Sequence, residues 1–170
     1  MVRAEGLPAA VERHVRDVSA MAERAGSSGV TVMRDDAHES VWAAINDLPQ
    51  AAALDSDELL LRLSCLPADL ERALADAAAL AARHGLALRV AARALSGIAY
   101  LRAHGDEGDL RQLHAELLAG WPQLALLAGP PAIKAEAPIW GAEIPNLALM
   151  RRIKQEFDPE NRLSPGRYVV

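Results

Sequence analysis

The sequence predicts an α+β fold in which split β-α-β units form one antiparallel sheet with helices mainly on one face. Three observations lead there. The chain has 170 residues, 51% of them apolar, enough for one core even with only three Trp, two Tyr and one Phe. Apolar periodicity switches between two and 3.6 at nearly every Pro or Gly, the mark of strands alternating with helices. One stretch also repeats: the shift that carries Arg3 onto Arg62 carries Leu7-Pro8 onto Leu66-Pro67, Glu12-Arg13 onto Glu71-Arg72, Arg24 onto Arg83 and Gly26 onto Gly85.

In chain order, residues 2–5 read as a short strand. Pro8 then opens a helix whose Val11, Val15, Val18, Ala22 and Ala25 share a face and whose stop is Gly26. A brief strand is expected at 30–33. Asp35 and Asp36 cap a helix carrying Val41, Trp42, Ile45 and Leu48, ended by Pro49, and a linker covers 50–57. A strand at 59–66 leads through Pro67 into a helix with Leu70, Leu74, Ala77, Leu80 and Ala81 on one side, closed by Gly85. Strands follow at 86–90 and at 94–103 across an irregularity at Gly97. A helix at 106–120 turns Leu110, Leu113 and Leu117 inward, and 124–128 is the last strand. Pro130, Pro131 and Pro138 predict an extended loop, since proline fixes φ and removes a donor. The final helix runs over 146–157. Two similar β-α-β units, each readable as a right-handed crossover, define a ferredoxin-like split β-α-β within a single domain spanning 1–170.

Composition excludes several functions. There are 18 Lys and Arg against 23 Asp and Glu, a net charge of −5, so a bulk nucleic-acid partner is not expected. No apolar run approaches the roughly 20 residues that cross a bilayer, and the N-terminus lacks a secretory pattern, so a cytoplasmic protein without membrane insertion is expected. The single cysteine, Cys65, precludes an internal disulfide and reads as buried and structural. The histidines His14, His38, His84, His104 and His114 are scattered without ligand spacing. Asp35, Asp36, His38 and Glu39 read as helix-capping acids, so no metal is expected. His84 reads as a cation near a helix C-terminus. No nucleophile elbow, Walker sequence or G-x-G-x-x-G occurs.

The C-terminus carries the specific signal. Leu147, Met150, Ile153 and Phe157 share one helix face. Asp158-Pro159 ends that helix, Leu163 anchors a loop, and Ser164-Pro165-Gly166 makes a tight turn before Arg167. The pattern Leu149-Met150, Ile153-Lys154, Phe157-Asp158-Pro159, then Leu163-Ser164-Pro165-Gly166-Arg167 resembles the closing segment of FAD-linked oxidases of the vanillyl-alcohol-oxidase type. Ile139-Trp140-Gly141 and Leu61-Arg62-Leu63-Ser64 bring it nearest to the FAD-binding subunit of bacterial glycolate oxidase. Two departures stand out. Ser164 replaces the usual Asn of the turn, and residues 91–98 lack the metal-ligating histidines of a related dehydrogenase branch.

The resemblance implies the cap, or substrate, domain of an FAD-dependent oxidoreductase acting on a small 2-hydroxy acid. FAD would be held mainly by an N-terminal FAD-binding domain upstream in the natural protein, without which this part is inactive. An iron-sulfur subunit would accept the electrons. Arg62 becomes the candidate for the substrate carboxylate, because a guanidinium fork binds carboxylate through two bonds; it also reads as an ordinary outward residue of an alternating strand. Trp140, Lys154 and Arg167 become candidates for contact with the cofactor. Trp140 alternatively anchors a loop, and the two cations alternatively satisfy helix-end carbonyls. No catalytic base is named. A different class also fits the residues: a stand-alone ferredoxin-like module for ligand binding or dimerisation.

Overall fold

The computed structural model describes residues 2–34, 36–50 and 54–166. In chain order its main elements are α1 (Pro8–Arg24), α2 (Asp36–Asp47), β1 (Glu58–Ser64), α3 (Leu70–Arg83), β2 (Ala87–Arg93), β3 (Ile98–His104), α4 (Glu107–Gly120), β4 (Leu124–Ala128), α5 (Pro131–Glu136) and α6 (Leu147–Phe157). They divide into two units, Met1–Ala43 and Ala44–Val170.

In the second unit the strands lie in the order β2-β3-β1-β4, and every neighbouring pair is antiparallel. This is the ferredoxin-like arrangement that the sequence predicts. The β-α-β units that build it are β1-α3-β2 and β3-α4-β4, so the stretch before β1 is not one of them. Residues 2–5 and 30–33, expected as strands, have no strand pairing. Their residues favour extended backbone, but a strand exists only when a neighbour accepts its ladder.

Alternation along β1 puts Leu59, Leu61 and Leu63 on the face toward the helices. There they meet Leu101 of β3, Leu124 of β4, Leu70, Ala73 and Ala77 of α3, and Leu110, Leu113 and Leu117 of α4. Each fully buried leucine contributes about 1.5–3 kcal/mol of burial free energy. Helix ends follow local chemistry. Asp106 caps α4, its Oδ1 accepting from Gly108 N at 2.8 Å. His84, read as a helix-end cation, reaches across from the end of α3 to α4, its Nε2 lying 2.9 Å from Glu116 Oε1.

Some boundaries differ from expectation. The strand expected at 94–103 is a 3-10 turn, Ala94–Ser96, followed by β3. Gly97 lies between them at φ 64°, and a Cβ there would sit 2.0 Å from the Cys65 carbonyl oxygen, so glycine is required. Cys65 N donates to Gly97 O at 2.9 Å, pinning the β1 end to the start of β3. The loop expected at 130–138 contains α5, because Pro131 stands in the first helical turn, where its missing N–H costs nothing. Asp35, part of the linker at 51–53, and Arg167 lie outside the described residues.

Candidate functional site

The sheet face away from α3 and α4 carries Arg62 at mid-β1, opposite Tyr100 on β3 and Ala125 on β4. Period-two alternation fixes this: Leu61 and Leu63 are buried on the helix side, so Arg62 and Ser64 face the other way. Beyond β4 the chain returns along that strand. Leu126 N donates to Ile139 O at 2.8 Å and Ala142 N to Pro122 O at 2.9 Å. Ile139 packs on the core, whereas Trp140, the next residue, stays 44% exposed. Gly141 makes the close approach possible, with φ 98° and an ideal Cβ only 2.6 Å from Pro122 O.

The result is a cleft of about 250 Å³ between the open sheet face and the returning chain. Arg62, Ser64, Gln123 and Glu143 supply its polar groups; Leu127, Trp140, Ile144 and Met150 are among its apolar walls. Among the described residues Arg62 has no ion-pair partner, and it is exposed. A guanidinium without an internal counter-ion beside an aromatic wall is suited to a small planar anion.

Two of the sequence candidates, Arg62 and Trp140, therefore line one cleft. Lys154 does not line it. Its ammonium is held by Asp158, one helical turn on, and by Leu163 O at 3.0 Å. Asp158 also accepts from Arg162 N at 2.7 Å and Leu163 N at 3.0 Å, so the buried carboxylate organises the whole turn after α6. The Lys154 ammonium, followed by these two backbone donors, holds Asp158 below the usual carboxylate range. The reading of Lys154 as a partner for carbonyls thus has a geometric counterpart in Leu163 O.

Ser64, Gln123, Glu143, Ile144 and Met150 join the cleft without a motif that singles them out as a site. Sequence reasoning also passes over Glu58 and Arg102. These side chains form a two-pronged pair on the same sheet face, with Arg102 Nε donating to Glu58 Oε1 at 2.9 Å and a second bond from Nη2 to Oε2. Both residues are buried. The bond from Arg102 lowers the Glu58 pKa, and Glu58 in turn raises that of Arg102. Only the β1-β3 register brings them together. Among the described residues, no three His, Cys, Asp or Glu gather into a metal-binding group.

Fold and cleft define an α+β domain whose C-terminal segment walls a small pocket on an open sheet, lined by one cation, Arg62, and one carboxylate, Glu143. That segment has a known counterpart. Residues 142–168 match the family described as FAD linked oxidases, C-terminal domain. The match supports a cap-type domain of an FAD-linked oxidase, and with it an oxidoreductase family that uses FAD. No curated protein matches the chain. No helix among the described residues is long and apolar enough to cross a membrane.

Proposed function

We propose that this chain is the cap domain of an FAD-dependent oxidase or dehydrogenase of small 2-hydroxy acids, glycolate-oxidase-like in substrate class. The observation that carries the reading is the cleft itself: Arg62, without an ion-pair partner, faces a wall contributed by Glu143, Ile144, Pro145 and Met150 of the matched segment. The residues present suit one part of the flavin assembly and not another. An aromatic rim and a single cation fit a ring edge and a small carboxylate above it. They do not fit a diphosphate, because the lining holds one cation, Arg62, beside the carboxylate of Glu143 and no glycine-rich loop.

When bound, the flavin supplies the two-electron acceptor. This chain's residues bind and orient. Arg62 holds the substrate carboxylate in a planar, two-bond grip, and Leu127, Trp140, Ile144 and Met150 exclude water from the α-carbon. Cofactor contact by Trp140, Lys154 and Arg167, an FAD-binding domain fused ahead of this chain, an iron-sulfur electron acceptor and a cytoplasmic location belong to the same proposal.

Two measurements test it. Mixed with FAD, the chain alone should stay colourless after gel filtration; a yellow, stoichiometric complex would contradict a diphosphate site located elsewhere. In the flavin-loaded assembly with its FAD-binding domain, Arg62→Ala should raise the KM for glycolate about 10- to 100-fold, the worth of a charge-assisted pair of bonds. Arg62→Lys should recover only part of that loss, and a KM unmoved by Arg62→Ala would overturn the assignment.

A further inference from the structure

Residues 2–34 repeat the helix of β1-α3-β2 and the way it is entered and closed, without the strand pairing on either side. The entry to α1 and the entry to the 3-10 turn Pro67–Asp69, which leads into α3, correspond under the shift that carries Arg3 onto Arg62. Leu7 has φ −61° and ψ 137°, Leu66 has φ −64° and ψ 143°, and a proline follows each. Ala10 N to Leu7 O and Asp69 N to Leu66 O are both 2.9 Å. At the other end Gly26 and Gly85 are both left-handed, with φ 81° and 67°. The three closing bonds correspond one for one. Ala25 N to Met21 O, Gly26 N to Glu23 O and Ser27 N to Ala22 O match His84 N to Leu80 O, Gly85 N to Ala82 O and Leu86 N to Ala81 O.

By the same shift, residues 2–5 fall on 61–64 within β1, and 30–34 fall on 89–93 within β2. In the sheet these two strands never pair with each other, because β3 lies between them, antiparallel to both. Among its described residues the first unit has no such strand, and α2 follows Arg34 closely in the chain. Among the described residues, neither 2–6 nor 30–34 makes a backbone-to-backbone hydrogen bond. Between them lies a cleft of about 570 Å³, lined by Val11, Val15, Val18 and Ala22 of α1 and, at its α2 side, by His38 and by Trp42, over which Arg3 stacks. Three of the α1 residues correspond to Leu70, Ala77 and Ala81, which the sheet buries; α1 has no buried residue.

We infer that this cleft accepts a β-strand supplied in trans, running antiparallel to both flanks and carrying small or aliphatic side chains at every second position. That is the chemistry of β3, whose Ala99, Leu101 and Ala103 face the helices. Backbone N–H and C=O groups along 2–5 and 30–34 supply the ladder, and the apolar face of α1 receives the alternate side chains.

The probe is a synthetic peptide of residues 97–105 added to the full chain, read by amide hydrogen exchange. Saturable binding with slowed exchange at 2–5 and 30–34 is expected. Val32→Pro, at a position 48% exposed and outside any ladder, should leave α1 exchange unchanged and weaken peptide binding at least tenfold. Protection confined to 58–104, or no peptide-dependent protection, would overturn the inference. So would protection at 30–34 that rises with protein concentration in the absence of peptide, since a second copy would then fill the cleft.

Discussion

Residues 2–34 and 61–93 share their punctuation, their Leu-Pro entry and their closing hydrogen bonds, yet only the second stretch contributes strands to a sheet. The difference separates what a sequence specifies locally from what it specifies through partners. A proline at the first turn and a left-handed glycine at the last act on their own neighbours, so both copies obey them. A strand is satisfied across its edge, and β3 is present in one copy only.

The sharpest way to break this comparison is to remove core volume from each copy. Leu70→Ala, at a buried position of α3, should cost about 3 kcal/mol in urea unfolding, within the range for buried leucine truncation. Val15→Ala on α1, only half-buried, should cost about 1 kcal/mol or less. Equal losses would mean that α1 is as well covered as α3. A second pair probes what the copies share. Gly26→Ala and Gly85→Ala each force a β-carbon into the left-handed region with no atom within 4 Å to clash, so each should cost about 1 kcal/mol. Unequal costs would sharpen the comparison by showing that the sheet alters even the local stop.

How much could be read from the sequence follows the same division. The helix that starts at Pro8 and the final helix lie where spacing and caps put them; the one closed by Gly85 does so at its end, but Pro67–Asp69, expected as its first turn, is a 3-10 turn. Residues 2–5 and 30–33 carry strand-like side chains, but no sequence rule states whether a neighbour exists. At α5, the proline that stops a helix from within serves as its first residue. Within the cleft, Arg62 and Trp140 were legible through motif and alternation. Gln123 and Glu143 were not, because only the return of the chain along β4 brings them in. The Glu58–Arg102 pair needed the strand register, a property of two segments at once.

The turn after α6 is a third case, a structure closed by a charge rather than by backbone bonds alone. Asp158 has a lowered pKa in the fold, so its contribution is complete above the ordinary carboxylate value near pH 4 and is lost as pH falls through the lower folded value. The protection of the Arg162 and Leu163 amides, relative to their intrinsic exchange at each pH, should therefore fall below about pH 4. The Gly26 and Gly85 stops, built from backbone bonds, should hold over the same range. The smallest effect is expected at Ser164, whose φ of 48° is left-handed. Asparagine tolerates that conformation better, so Ser164→Asn should stabilise this turn by roughly 0.5 kcal/mol in thermal unfolding.

Cys65 turns the junction of β1 and β3 into a stopwatch. Its Sγ rests 3.6 Å from Gly97 O, and burial, reinforced by nearby Asp69, pushes the thiol pKa up, so the reactive thiolate is scarce while the corner stays shut. A maleimide should therefore capture this single, half-buried thiol slowly at neutral pH and faster where the corner loosens, a native reporter that needs no engineered label.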